Sequence, residues 1–542
     1  MPRTSPVSSV LISGISGGVN RDSDPAQLDV RQSPDALNVN FGPAGAISSR
    51  NGFARYDLAC NHDARGLYTF HVTGGSEYVI SACEAGDIYA GAYGVALADS
   101  THDFAAASTE YDFHVAFGTL NNILYMTSLS AQPTGSGLYP LSFTGAVWAH
   151  LTPADFTGDA EAPAFPVARH LCTHHDRMWA ANVIDSAVRL PSRVHFSNAL
   201  VPTNWPASQY IDFDPNDGSE ITALQPFGQA LLVFKQHAVH LLTGKSEESF
   251  TRYAVETRVG TSCPGGVAVA GGICYFFDPN TGVWTFDGAS FEPIDQSIRK
   301  YILTGINHTY IYRAQAWMWK DRFYLSVPWG GTAYPSHTFV FETVSKSWTE
   351  YDYGVQSATI AGNNILLGGG TAGLEHVAPD PALGAYENHG VYTLETGHYD
   401  EHTPAPSRTG RAIYSYVYTP WILPEQVPFV KHRTVRVDMV WTALGDVNVH
   451  VESFRDYMTT YPTVTQTINT SPGGMIWGTA TWGAPTVWGG AFGEVLTRTT
   501  GWGGHRWRAL QFKFSVDGTD EQMQLNNLLL VFSSLSRVRG EL

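Results

Sequence analysis

Along most of the chain, apolar residues fall at every second position in short runs, and the runs end at Gly, Asp, Asn or Pro. Near the C-terminus, Val435, Val437, Met439 and Trp441 alternate with Thr434, Arg436 and Asp438. Gly445-Asp446 follows, and then Val447, Val449 and Val451 alternate with Asn448 and His450. This pattern predicts a hairpin with one buried face, since side chains of a strand point alternately to opposite sides. Leu510, Phe512, Phe514 and Val516 predict another strand before the turn pair Asp517-Gly518. Together these signals predict a separate antiparallel β-sandwich over 405–542. No long segment carries apolar residues at the helical spacing i, i+3, i+4, i+7.

The middle of the chain repeats itself. Val239-His240-Leu241-Leu242-Thr243-Gly244 aligns with Val283-Trp284-Thr285-Phe286-Asp287-Gly288, and upstream Leu231–Phe234 aligns with Cys274–Phe277. A looser copy runs from Leu138-Tyr139-Pro140-Leu141 to Phe143-Thr144-Gly145, and Asp176-Arg177-Met178-Trp179 opens like Asp321-Arg322-Phe323-Tyr324. A period of about 40–45 residues built of short strands is the mark of a propeller blade, so 61–404 is expected to form a β-propeller of roughly seven or eight blades. One four-stranded blade cannot bury both faces, which is why blades stack. Residues 1–60 are rich in Gly, Ser, Asp and Pro and predict an extended N-terminal docking arm. The expected fold class is all-β.

Composition narrows the function. The 542 residues include 49 acidic and 32 basic ones, a formal charge of −17, which disfavours a general nucleic-acid binder. Hydrophobic residues make up 43% and charged residues 15%, which excludes wholesale disorder. The five cysteines, Cys60, Cys83, Cys172, Cys263 and Cys274, are scattered without a CxxC and read as buried free thiols. The start Met1-Pro2-Arg3 leads only to the short apolar run Val10-Leu11-Ile12, too short for a signal peptide, and no window predicts a membrane span. Synthesis in a cytoplasm is expected.

Candidate chemistry is sparse. Gly14-Ile15-Ser16-Gly17-Gly18 fits G-x-S-x-G, but the residues after it do not start the helix that a nucleophile elbow needs. Thr243-Gly244-Lys245-Ser246 ends like a P-loop, yet Val239 stands where the first glycine belongs, and a hairpin turn is expected. Asp212, Asp214, Asn216, Asp217 and Glu220 form an acidic loop at 212–220; Asp217 and Ala223 stand where an EF-hand needs Gly and Glu, leaving a loose Ca²⁺ site or a solvated turn. His174-His175-Asp176 reads as a turn, because adjacent strand residues face opposite ways. Trp477, Trp482, Trp488 and Trp502, each followed by Gly, have three readings: a sugar platform, a flexible tip that meets a cell, or a packed ribbon. Arg506-Trp507-Arg508 fits a phosphate contact or a strand with exposed arginines. No catalytic, cofactor-binding or metal-ligating residue is assigned, and no enzyme activity is expected.

Three segments of the arm resemble the opening of many tailed-bacteriophage structural proteins: Gly17-Gly18-Val19-Asn20-Arg21-Asp22, Gln32-Ser33-Pro34-Asp35-Ala36-Leu37-Asn38-Val39, and Ser49-Arg50-Asn51-Gly52-Phe53. Downstream, Asp176–Trp179 with Arg193-Val194-His195-Phe196-Ser197 and Pro202–Trp205, then Asp217–Leu224 with Leu232–Lys235, are similar to blades of phage tail nozzle and tail-hub proteins, and the Trp-Gly series is similar to stretches of phage virion proteins. The resemblance implies a structural virion protein: a subunit of a homo-oligomeric, hexameric ring that extends the DNA channel of the tail, retains packaged DNA and is passed by DNA at ejection. Its partners would be other tail, adaptor and fibre proteins, with no cofactor and no membrane span, and it would be assembled in the host cytoplasm. A minor tail or tail-tip protein that binds a host glycan or receptor is the alternative.

Overall fold

A computed structural model of the chain describes residues 7–42, 45–57, 64–83, 86–100, 115–128, 140–151, 165–185, 188–369, 390–401, 410–424, 430–442, 447–470, 494–499, 505–518 and 521–535. The fold is all-β. Among the described residues there are seven four-stranded antiparallel sheets. In chain order these sheets 1 to 7 span 64–99, 116–150, 167–212, 221–256, 267–293, 315–351 and 357–394. Sheets 1 to 6 are each built from four consecutive strands. Sheet 7 takes three strands from 357–394 and its fourth, Phe53–Asp57, from the N-terminal segment, paired with Gly390–Leu394.

The sequence repeat has a direct structural meaning. Ala230–Lys235 and Ile273–Asp278 are the second strands of sheets 4 and 5, and Val239–Thr243 and Gly282–Phe286 are the third. The looser copy ends on Leu141–Phe143, the third strand of sheet 2. The first two strands of five sheets are joined by two-residue turns with both central residues at positive φ: Asn121-Asn122, His175-Asp176, Gly271-Gly272, Lys320-Asp321 and Gly362-Asn363. That geometry matches the right-handed twist of a hairpin and favours Asn, Asp and Gly. The recurring Asp-Arg pair is therefore the end of a turn and the start of a strand.

Each sheet buries its faces against its neighbours. Phe70 and Ile80 of sheet 1 pack with Leu124 and Phe143 of sheet 2, Trp179 and Phe196 of sheet 3 with Leu231 and Val233 of sheet 4, and Trp317 and Tyr324 of sheet 6 with Ile365 and Tyr392 of sheet 7. Leu366 and Val391 of sheet 7 pack with Leu67 and Val79 of sheet 1. The first strand of every sheet lies against the first strand of the next, and that of sheet 7 lies against that of sheet 1. The hydroxyls of Thr69 and Thr359 meet at 2.9 Å across this last contact.

The remaining strands form a two-stranded ribbon, Tyr399–Glu401 with Gly410–Ala412, and two larger sheets, of five and seven strands, that share one apolar core. The hairpin expected at 435–451 is not formed. His432–Thr442 belongs to the seven-stranded sheet and Asn448–Arg455 to the five-stranded one. Met439, Trp441, Val449 and Val451 are nonetheless all buried in the same core. Alternation specifies one buried face per strand, and two strands meeting across a sandwich satisfy it as well as two strands in one sheet.

The segment expected as an arm pairs within its own chain. Val7–Ile12 pairs with the last strand, Gln524–Ser534; Ala36–Leu37 pairs with Ser415–Tyr418; and Val39–Phe41 with Ile47–Ser49 forms a hairpin beside Gln524–Ser534. Hydrogen bonding thus crosses the boundaries drawn at 60 and 405. One cysteine expectation is corrected: Cys83 is disulfide-bonded, while Cys172, Cys263 and Cys274 are free and buried. A short helix, Arg299–Gly305, also interrupts the β-structure.

Candidate functional site

The three N-terminal segments that carry the resemblance come together where the N-terminal segment, sheets 6 and 7 and the five-stranded sheet meet. Gly18 sits at φ 69° with its chain pressed on sheet 6, so that a Cβ there would lie 2.7 Å from Ser347 Cβ and from the Trp348 backbone. The Val19 N–H donates to the Trp348 carbonyl at 2.8 Å. This approach delivers Arg21 to a half-buried cluster. Its guanidinium forms ion pairs with Asp35 and Glu350 and lies 4.0 Å over the Tyr301 ring. Burial opposes the charge on Arg21, but Glu350 and Asp35 outweigh it and hold the group protonated above its ordinary range. Burial raises the Glu350 carboxyl, with Arg21 pulling the other way. Asp22 accepts from the Lys300 and Tyr301 N–H groups, at 2.7 and 3.2 Å, and so ties the helix Arg299–Gly305 to the same segment.

Asn38 and Arg50 form the second half of the joint. Asn38 adopts φ 55°, donates its backbone N–H to Glu350 O at 2.8 Å and its Nδ2 to Tyr414 O at 2.9 Å. Its Oδ1 accepts from Arg50 Nε at 2.9 Å. Arg50 is 2% exposed and grips Asp400 with both Nη atoms, at 2.8 and 2.6 Å. Asp352 lies 3.3 Å from Nη2. Desolvation works against this cation, and Asp400 more than compensates, so its pKa is raised. Phe53, three residues on, packs edge-on against Tyr353 and Tyr392. The motif residues thus build an internal junction of fixed charges. Glu350, Tyr301, Asp352 and Asp400 complete it and were not read from the sequence. The available signal for Glu350 was a lone carboxylate within the otherwise uncharged strand Ser347–Tyr351.

The acidic loop at 212–220 is matched by the chain's own cations. Arg193 holds Asp212 bidentately at 2.7 and 2.9 Å, Arg169 holds Glu220 at 2.8 Å, and Arg189 also pairs with Glu220. Lys235 is 0% exposed, and its Nζ donates to Phe213 O at 2.9 Å, Asp214 O at 3.0 Å and Asp217 Oδ1 at 2.7 Å. An ammonium group occupies the centre of the loop, where two carbonyls and a carboxylate converge. Among the described residues, no cluster of three His, Cys, Asp or Glu groups could hold a metal ion.

The other sequence candidates are placed as follows. The G-x-S-x-G segment leaves the strand Val7–Ile12 with no helix behind it, and Gly14 packs on the Gly45 backbone. Thr243 ends the third strand of sheet 4, and Gly244–Ser246 lies between it and the fourth. His175 and Asp176 are the turn of the first hairpin of sheet 3. His174 beside them is buried, and desolvation lowers its pKa to about 4. Arg506–Trp507 is a strand pairing with His432–Arg433; Arg506 and Arg508 are exposed, and Trp507 is buried with Nε1 donating to Thr434 Oγ1 at 2.9 Å. Trp477, Trp482, Trp488 and Trp502 lie outside the described residues. A cleft of about 780 Å³ opens between sheets 5 and 6, floored by Tyr275, Met318 and Phe341 and bordered by Asp287, Glu292 and Lys346.

No family model matches the chain, and no curated protein matches it. Among solved structures, it is similar to PorZ, a bacterial surface component of the type-IX secretion system of Porphyromonas gingivalis, at 11% identity and a TM-score of 0.37. That match covers 69% of this chain and 42% of PorZ, so the chain spans less than half of that protein's length. It is also similar to YCF48, solved bound to a D1 peptide, at 8% identity and a TM-score of 0.33, over 69% of this chain and 100% of YCF48. Neither is a phage tail protein.

Proposed function

We propose that the seven sheets close into a β-propeller and that the chain is a structural virion protein of a tailed bacteriophage, a subunit of the tail nozzle or hub ring. Closure is supported by the contact of sheet 7 with sheet 1 and by the N-terminal strand Phe53–Asp57, which joins the last sheet to the start of the chain. One observation carries the functional reading. The residues that resemble the opening of phage structural proteins, including Gly18, Arg21, Asp22, Asp35, Asn38 and Arg50, serve together as a partly buried junction holding the N-terminal segment, the sheets and the sandwich in one piece. Such residues fix a shape, which suits a subunit that must hold its geometry while DNA passes. Assembled as a ring, an acidic protein would let DNA pass through with little adhesion.

The experiment is electron microscopy of virions labelled with antibody raised against this chain. Label at the distal end of the tail supports the reading. Virions that carry the chain nowhere, or carry it only in the head, overturn it.

A further inference from the structure

The wedge between sheets 5 and 6 stays open where the one before it is filled. Leu241, on the third strand of sheet 4, packs against the apolar core shared by sheets 4 and 5. Its equivalent in the sequence repeat, on the third strand of sheet 5, is Thr285. Thr285 pairs with Glu292 on the fourth strand, and both line the cleft of about 780 Å³. A short polar side chain thus stands where a leucine fills the preceding wedge. The resulting volume falls within the roughly 300–1,000 Å³ of ligand sites.

The floor of this cleft is apolar. Tyr275 and Phe341 are each 6% exposed, and their rings are engaged, Tyr275 with Phe323 at 5.3 Å and Phe341 with Trp348 at 5.0 Å. They offer no open ring face on which a sugar could stack. Half-buried Met318, which also lines the cleft, is a soft side chain that adapts to an apolar tip. The rim is acidic: Asp287, Glu292 and Asp321 are exposed, and one exposed cation, Lys346, stands against them. Among the described residues none of these four has an ion-pair partner, whereas Lys320 and Arg322, on either side of Asp321, are held by Glu395 and Glu342. The Ala289 and Ser290 N–H groups donate to Asp287 Oδ1 at 2.8 Å each and fix that carboxylate. Uncompensated carboxylates around an apolar floor complement an occupant that is apolar in the middle and basic at its ends.

We propose that the cleft between sheets 5 and 6 binds a short extended peptide segment of a partner protein, in which a Leu, Met or Phe side chain enters the floor and flanking Lys or Arg side chains meet Asp287, Glu292 and Asp321. Lys346 is left to donate to a peptide carbonyl. Burial of the central side chain supplies the attraction, and the rim charges select basic over acidic flanks. This inference rests on the cleft alone and does not depend on the viral role.

The test is an array of immobilised hexapeptides, with Leu, Met, Phe, Asp or Ala at the centre and Lys, Arg, Glu or Ser at the flanks, probed with the labelled full chain. The strongest binder is then measured in solution by fluorescence anisotropy. Binding is expected for apolar centres with basic flanks, and acidic flanks should abolish it. Asp287→Asn combined with Asp321→Asn, at two exposed positions, should weaken binding by about three- to tenfold. Added salt should weaken the unaltered chain more than this double variant. Thr285→Trp, which fills the cleft, should remove binding altogether; if it lowers the melting temperature, Thr343→Trp on the facing wall replaces it. An array on which no peptide binds above the Ser-flanked Ala control overturns the proposal. So does a preference for acidic flanks, or binding that survives in a cleft-filling variant of unchanged melting temperature. A concentration-dependent dimer that the cleft-filling variant abolishes would put a second copy in the place of the peptide and overturn it as well.

Discussion

The seven small sheets and the C-terminal sandwich use the same kind of strand but are assembled differently. Six of the small sheets take four strands in chain order. The sandwich gathers strands from both ends of the chain, so that Val7–Ile12 pairs with residues more than five hundred positions away. The body can therefore be built by local pairing, whereas the sandwich requires the chain ends to meet, with the larger loop-closure cost that long separations carry. The polar chemistry follows the same division. Lys235 serves a loop 18 to 22 residues upstream, while Arg50 joins residues from 38 to 400.

Several substitutions would break or sharpen this contrast. The largest effect is expected from Arg50→Ala, which leaves Asp400 and Asp352 without their cation in a buried setting. A loss of about 3–5 kcal/mol in denaturant unfolding is expected, with the sandwich and sheets 6 and 7 losing hydrogen-exchange protection together. Loss confined to one region would show that the joint does not couple them. Acid should act next, and locally. Desolvation lowers His174 and His195 to about 4, below the ordinary value of 6.5. Between those values the unfolded chain takes up protons that the folded chain refuses. Stability is thus fully present above about pH 6.5 and falls as pH drops toward 4, by on the order of a few kcal/mol for the two groups together. The loss should begin in sheet 3, and His174→Gln with His195→Gln should flatten the profile; an unchanged slope would contradict the assignment.

Lys235→Met is expected to cost about 2–3 kcal/mol, since it strands two carbonyls and one carboxylate. The damage should stay within sheets 3 and 4, as read by exchange protection, and a defect reaching the sandwich would blur the contrast. The smallest change is Asp22→Ala, which removes the acceptor at the start of the helix Arg299–Gly305 and should cost about 1 kcal/mol. A neutral result would show that the hydrogen bonds to Lys300 and Tyr301 are replaced by water.

Much of the body was legible beforehand because its information is local. The repeat at Val239–Gly244 and Val283–Gly288 falls on equivalent third strands, and the Asp-Arg pairs fall at equivalent turns. The sandwich was legible only strand by strand. Val437, Met439 and Trp441 announced a buried face, but alternation does not say which sheet a strand joins, and the expected hairpin proved to be two strands in different sheets. The joint was half legible: Arg21 and Arg50 stand in the N-terminal motif segments, while Glu350, Asp352 and Asp400 lie hundreds of residues away, with only the lone carboxylate of the strand Ser347–Tyr351 as a local mark.

By itself, the order of residues determined strand character, turn positions, the internal repeat and the acidic surplus, because each follows from neighbours within a few positions or from simple counting. Only the tertiary structure decided that residues 7–57 complete the last small sheet and both layers of the sandwich, and that two distant arginines find their carboxylates. Those outcomes depend on which surfaces meet once the chain is compact, where burying a charge is tolerable only beside its counter-charge. No short-range pattern encodes that meeting.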